Sequence, residues 1–313
     1  MTTSANTRDI VQAALAMSIV GSLTAVSATI ADFPVFGGQA VRYAGAAVLL
    51  FAIARLDDRR TGGRAGRLPS RRDLGFLVML AVTGLAAFNV FIVLGTRDTS
   101  PATIGTVISA VPIVLALAAP LMAGRRPAPA TVLAACVVTA GAGLANGLGG
   151  GTVRGLLLSL GALGGEICFS LLAVPVLPRL GPIRTSAWSA ALASPMLLVT
   201  GLITDGRHVL RLPTGAEFAG LLYLTVVVTC AAFLLWYDAL GRMGADRAGL
   251  FAGMIPVSAV LTTMILGIAT PRPAEVAGAA LVAVGVALGL RPAKPARTPR
   301  KATAEPLRAE VAK

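Results

Sequence analysis

The feature that most constrains this chain is the continuity of its apolar character, which runs from about residue 11 to residue 290 with only short interruptions. Those interruptions are Asp32-Phe33-Pro34, the Arg-rich stretch 55–73, Arg97-Asp98, Gly124-Arg125-Arg126-Pro127, Gly149-Gly150-Gly151, 179–182, 204–214, 241–245 and 270–273. A bilayer core about 30 Å thick takes about 20 apolar residues to cross as a helix. That ruler gives ten candidate spans: 11–31, 37–54, 74–94, 102–123, 129–148, 153–177, 184–203, 216–240, 246–269 and 273–290. Only helices and closed barrels satisfy their backbone in lipid. The runs are too long and too evenly apolar for barrel strands, which alternate over about ten residues. The expected fold class is therefore an all-α integral membrane protein with ten transmembrane helices. The second span is the shortest and carries Arg42 in its first turns. Arg8 and Asp9 lead straight into a full-length span, longer than the roughly 7–15-residue apolar segment of a cleavable signal, so no separate signal is expected.

Composition excludes the soluble classes. The chain is 56% apolar and only 13% charged, with a mean hydropathy of +0.80. Soluble domains run about 45–50% apolar and about 25% charged, and much of their surface must face water. A formal charge of +13 would suggest nucleic acid in a soluble protein. Placing the charges removes that reading. With the N-terminus cytoplasmic and loops alternating, 21 of the 27 Lys and Arg fall on the cytoplasmic side, five fall outside, and Arg42 lies within a span. This is a positive-inside distribution. It supports an even number of spans, both termini in the cytoplasm, and a multi-pass protein of the plasma membrane with the lipid bilayer as partner. Cys136, Cys168 and Cys230 sit apart inside apolar runs and read as small hydrophobes. His208, in a polar connection, reads as a solvated loop residue. Neither a metal site nor a cofactor is expected.

The two halves lie over each other. Residues 112–145 match 256–289 at an offset of 144, placing Pro112 on Pro256, Pro127 on Pro271, Pro129 on Pro273, Gly141 on Gly285 and Leu144 on Leu288. Leu94-Gly95 meets Leu240-Gly241 at an offset of 146. Five spans per half is an odd number, so the halves face opposite ways, an inverted repeat. Transporters use that architecture to hold substrate near the midplane and alternate access by rocking. The expected division is a cytoplasmic tail 1–10, a first five-helix repeat 11–148, a second 153–290, and a basic, disordered cytoplasmic tail 291–313.

The stretch Leu94 to Ala145 resembles the second part of an EamA domain, and so does Leu240 to Gly289. Each has a helix with a mid-span Pro (Pro112, Pro256), a short turn, and a Gly/Ala-rich closing helix. Arg42, in QAVRYAGAAVLL, is similar to the family's Arg near the start of the second helix. The resemblance covers roughly residues 10–290. It implies the drug/metabolite transporter superfamily, with two EamA halves, ten helices, and export or exchange of small metabolites such as amino acids. The family often has Gly-Glu after the Pro-containing helix, whereas this chain has Gly124-Arg125 and Ala269-Thr270. Any role of that acid is not carried over.

Charge at membrane depth is costly and therefore informative. Glu166 is the only acid near the middle of a span. In a water-accessible cavity its carboxyl can exchange protons, making protons the coupling ion, or bind a substrate ammonium; the structural alternative is a hydrogen-bonded Glu that ties helices together. Arg42 can hold a substrate carboxylate or pair with Asp32 or Asp98, and structural pairing is the favoured reading. Asp238 and Asp246 read as interfacial acids beside Arg242 and Arg247. Polar residues at helical spacing mark interior faces: Ser18, Ser22 and Thr29 in the first span, Thr225, Thr229 and Trp236 in the eighth, Ser258 and Thr262 in the ninth. Asn89, Thr106, Ser109 and Ser170 add polar groups. Such side chains also bond helix to helix. Together they suggest a weakly polar cavity for neutral or zwitterionic small molecules. Trp236 and Tyr237 read as interfacial anchors. The pairs Gly161/Gly165, Gly143/Gly147 and Gly285/Gly289 read as close-packing signals, and Pro112 and Pro256 as kinks in helices 4 and 9.

The favoured function is a secondary transporter that exports amino acids or related metabolites by alternating access. The alternatives are a sugar-phosphate or nucleotide-sugar exchanger or a facilitative carrier of the same superfamily, and, from a different class, a membrane sensor or structural protein. Anionic substrates would require several interior cations, and only Arg42 qualifies. An enzyme is disfavoured because the spans hold no nucleophile–base set.

Overall fold

The computed structural model describes residues 6–60, 68–147, 149–267 and 270–290. Arg64, Arg67, Ala269, residues 1–5 and the basic tail 291–313 lie outside these residues. The described residues fold almost wholly as helix. Eight helices are long and apolar enough to cross a membrane. They are α1 (Thr7–Ala28), α2 (Val35–Arg60), α3 (Arg71–Asp98), α4 (Pro101–Met122), α5 (Pro129–Asn146), α6 (Val153–Leu171), α7 (Leu177–Asp205) and α8 (Gly215–Met243). Two further apolar elements follow: α9, residues 245–265, which is broken by a 3-10 turn at Gly249–Gly253, and α10 (Pro273–Gly289).

Local chemistry sets the helix starts. Ser70 accepts from the Asp73 amide while Asp73 bonds back to the Ser70 amide, closing a capping box before α3; Thr214 and Glu217 do the same before α8. Such reciprocal caps satisfy amides that the first turn leaves orphaned. Ser100 and Thr152 cap α4 and α6, and Pro101, Pro129 and Pro273 sit where a first turn needs no N–H. Gly147 (φ +79°) and Gly244 (φ +83°) end α5 and α8 in the left-handed region that only glycine enters cheaply.

The helices overrun the apolar windows. α2 has 26 residues and includes Arg59 and Arg60, so the second span is not the shortest. Its polar last turns continue the helix beyond the apolar stretch, which hydropathy alone does not see. α6 stops at Leu171 and the chain turns at 172–176, placing Glu166 nearly three quarters of the way along its helix instead of at its midpoint. Two long helices are irregular at matching places: α3 is π-helical over Ala81–Ala87 and α8 over Leu224–Ala231. Such turns hold one extra residue and are frequent at functional sites.

Packing at the crossing of α5 and α10 is reciprocal. A Cβ added to Gly141 would lie 2.7 Å from the Val282 amide and 2.8 Å from the Gly278 carbonyl oxygen. One added to Gly285 would lie 2.8 Å from the Val138 amide and 3.1 Å from the Ala134 carbonyl oxygen. These four partners exchange at the sequence offset of 144. The expected Gly143/Gly147 pair is corrected: Gly143 meets only the Thr106 methyl at 3.7 Å and Gly147 caps the helix, so Gly141 makes the close approach.

Candidate functional site

The site begins at Arg42, about two turns into α2 and buried in the bundle. Its Nε donates to Thr229 Oγ1 at 2.6 Å and its Nη1 to Gln39 Oε1 at 3.2 Å. The guanidinium lies over the Tyr43 ring, 5.2 Å from its centroid, a cation–π arrangement. Among the described residues Arg42 makes no ion pair, and its Nη2 has no protein acceptor. The expected pairing with Asp32 or Asp98 is corrected. Asp98 instead pairs with Arg154 at 3.1 Å, and only the backbone carbonyl of Asp32 takes up an arginine, Arg211.

Thr229 is placed for this role by the irregular turn of α8. Its hydroxyl donates to the Leu224 carbonyl five residues back at 2.9 Å and accepts from Arg42 at the same time. Below it, Tyr43, Phe169, Phe233 and Tyr237 form an aromatic cluster between α2, α6 and α8, with ring centroids 4.9 Å apart for Phe169–Phe233 and 5.1 Å for Phe169–Tyr237. Tyr237 lies within electrostatic range of both Tyr43 and Glu166. Glu166, half-buried on α6 three residues before Phe169, makes no hydrogen bond or ion pair among the described residues. A guanidinium on α2 and a carboxyl on α6 thus both lie near the aromatic cluster, Arg42 over Tyr43 and Glu166 within electrostatic range of Tyr237. Each lacks a partner of opposite charge.

The family comparison meets this geometry directly: the EamA-like transporter family matches residues 8–147 and 156–291. The chain belongs to the EamA-like transporter family. It is 24% identical to the uncharacterized transporter YetK of Bacillus subtilis (strain 168) over 82% of this chain and 78% of that protein. It is 25% identical to the uncharacterized transporter YyaM of the same organism, over 69% of this chain and 73% of that protein. A probable terminal-alkyne amino-acid exporter of Streptantibioticus cattleyicolor is 23% identical over 71% of this chain and 75% of that protein. A chain in a crystal structure superposes with a TM-score of 0.73, covering 90% of this chain and 96% of that one at 19% identity, a likeness of fold. The EamA-like chain is a multi-pass membrane protein with a transport role for a small-molecule substrate, and the family points away from an enzyme.

The other expected site residues divide into two groups in this EamA-like transporter. Ser22 meets the Tyr223 hydroxyl at 2.8 Å and also bonds the Ile19 carbonyl, joining α1 to α8. Ser258 donates to the Ser18 carbonyl, joining α9 to α1. Asn89 bonds the Leu85 carbonyl of its own helix at 2.7 Å, Thr29 caps the end of α1 and is exposed, and Ser170 is buried in α6. Pro112 and Pro256 each stand in the first turn of a helical segment that follows a break, at Ser109–Ala110 and at Gly249–Gly253. Trp236 and Tyr237 are 3% and 0% exposed, so the expectation of interfacial anchors is corrected. Packing on Phe169 and Phe233 draws Tyr237 inward, and the Trp236 Nε1 is buried without an acceptor.

Three buried hydroxyls on α7 escaped the sequence reading: Thr185, Ser186 and Ser189. Ser189 faces the Tyr237 hydroxyl, which has no hydrogen-bond geometry to it, and Ser186 Oγ is buried without a partner. Their spacing within an otherwise apolar span was the signal that could have found them. The interfacial reading of Asp238 agrees with its pairing to Arg242 at 3.1 Å.

Proposed function

We propose that this protein exports small zwitterionic metabolites, amino acids among them, across the plasma membrane by alternating access. In this reading both termini are cytoplasmic, and ten helices form two inverted five-helix repeats, 11–148 and 153–290. Local features that recur in the second half support the repeat: a capping box, a π-helical stretch, a helix break before Pro112 and Pro256, and the reciprocal glycine contacts of α5 and α10. Inverted repeats carry their substrate between the halves near the midplane.

The observation that carries the reading is the uncompensated pair. A cation buried without an acid, and an acid without a cation, are costly in a membrane interior, and a zwitterion supplies both missing charges. Arg42 Nη2 would take the substrate carboxylate. Glu166 would take the ammonium or, between substrates, a proton, which couples export to the proton gradient. The unpartnered Trp236 Nε1 and Ser186 Oγ would add neutral contacts. A single interior arginine gives no support to a sugar-phosphate or nucleotide-sugar exchanger.

The test is uptake into sealed vesicles driven by a pH gradient, with and without Glu166→Gln. The substitution should abolish gradient-driven transport while leaving membrane insertion intact. Unchanged uptake overturns the coupling role of Glu166. Absence of amino-acid counterflow in proteoliposomes of the unaltered protein overturns the substrate class.

A further inference from the structure

A cavity of about 400 Å³ opens at the ends of the helices on the face opposite the start of α1, outside the site just described. It is lined by Asp32, Phe33, Phe36, Arg97, Asp205 and His208, together with Pro34, Val35 and Val93. Both parts of the chain build it. Asp32 to Pro34 come from the connection into α2 and Val35 and Phe36 from its first turn, Arg97 from the last turn of α3, and Asp205 and His208 from the end of α7 and the 3-10 turn after it. Its volume lies within the usual range for small-molecule pockets, about 300–1,000 Å³.

What sets this cavity apart is how its charges are left. Elsewhere most carboxylates among the described residues are paired, Asp98 with Arg154, Glu217 with Arg211, Asp58 with Arg184 and Glu275 with Arg272 among them. Around the cavity, Arg97, Asp205 and His208 make no side-chain hydrogen bond or ion pair among the described residues. Arg97 is left so although its sequence neighbour Asp98 takes an arginine from another helix. The Asp32 carboxylate makes no ion pair either: Arg211, which is bound to Glu217 and lies over the Phe33 ring, acts on it electrostatically but hydrogen-bonds only its main-chain oxygen. One cation and two carboxylates therefore line a single space that the protein does not itself fill, beside the rings of Phe33 and Phe36. A ligand that is cationic at one end, anionic at the other and apolar in its side chain matches that lining.

We propose that this cavity is a vestibular binding site for a zwitterionic amino acid with an apolar side chain. Its carboxylate lies on Arg97, its ammonium between Asp32 and Asp205, and its side chain against Phe33, Phe36 and Val93. The proposal rests on the transport reading for its purpose and extends it. The vestibule selects zwitterions at one mouth of the pathway, before or after they meet Arg42 and Glu166. The neighbouring Asp98–Arg154 pair leaves Arg97 unmatched and so available to the ligand.

The test is equilibrium binding to the full chain in lipid nanodiscs, with three probes: L-leucine, L-leucinol, which lacks the carboxylate, and 4-methylpentanoate, which lacks the ammonium. L-leucine should bind at least about tenfold tighter than either analogue, the difference that a charge-assisted hydrogen bond makes. In an Arg42→Gln/Glu166→Gln background, which removes both charges of the inner site, Arg97→Gln should erase the preference over L-leucinol, and the double substitution Asp32→Asn/Asp205→Asn the preference over 4-methylpentanoate. Arg272→Gln, at a residue that lines neither site, should leave both preferences in place. No preference in the unaltered protein, or preferences that survive both variants, overturns the vestibule. L-leucine counterflow in proteoliposomes separates the two proposals. Counterflow without Arg97-dependent discrimination removes the vestibule alone, and discrimination without counterflow removes the transport reading alone.

Discussion

Two crossings in this molecule join corresponding helices by different means. Where α6 crosses α3, the contact is made by backbone. A Cβ on Gly84 would lie 2.8 Å from the Phe169 Cα, and one on Gly165 would lie 2.9 Å from the Thr83 carbonyl oxygen. At the end of that crossing the chain is clasped twice, by the Thr152 amide on the Asp98 carbonyl at 3.0 Å and the Ser100 amide on the Gly150 carbonyl at 3.1 Å. Where α1 crosses α8, side chains make the joint: Ser22 on Tyr223, with long ion pairs, Arg8–Asp238 at 4.0 Å and Arg242–Asp9 at 3.9 Å, at the end where the chain starts. Gly21 stands at the position of Gly165 under the repeat offset, but it packs on Ile255 and Ser258 of α9 and not on α8. Close backbone packing is hard to remake, whereas exposed charge pairs are worth little and reform readily. The α1–α8 crossing is therefore the looser joint, at the face opposite the clasp.

Substitutions can break that contrast. The largest effect is expected from Gly84→Ala, which forces a methyl onto the Phe169 backbone and should cost about 1–3 kcal/mol, read as a lower Tm of the purified protein. Ser22→Ala removes the α1–α8 hydroxyl contact and should cost about 1 kcal/mol; Tyr223→Phe should match it, since both delete the same bond. Asp98→Asn removes one ion pair but leaves the two main-chain bonds, so its cost should stay under about 1 kcal/mol. Arg242→Gln should be the smallest, with a Tm indistinguishable from the unaltered protein. If Arg242→Gln proved more damaging than Gly84→Ala, the assignment of tight and loose joints would be reversed.

Span positions were legible in the sequence because the need to bury backbone in lipid acts locally, on every stretch of about 20 residues. Helix ends were less so: α2 runs on through Arg55, Asp57 and Asp58 to Arg60, because a helix does not stop where the bilayer does. The site was legible in its charged members, Arg42 and Glu166, since their depth alone makes them costly. Their surroundings were not. The partner of Arg42 is 187 residues away, and no local pattern links Gln39, Thr229 and Tyr43 into one pocket. Trp236 and Tyr237 carry the composition of a membrane-interface pair, and only their packing on Phe169 and Phe233 turns them inward. The Gly143/Gly147 spacing was a true pattern on the wrong face, because the rotation of α5 brings Gly141 to α10.

The π-helical stretch of α8 has a further consequence for how this chain tolerates change in length. It stores one surplus residue between Leu224 and Ala231, and Arg42 hangs from Thr229 inside it. Deleting a single residue there would let the helix close into an ordinary α-helical turn, and the segments on either side would keep their facing because the bulge alone absorbs the loss. In a helix without such a bulge the same deletion would rotate everything beyond it by about 100°, the step of one residue. Phe233 and Tyr237 would therefore stay in the aromatic cluster, and only the placement of Thr229 under Arg42 would be lost. The bulge gives this span one place where its length can change without turning the floor of its binding site.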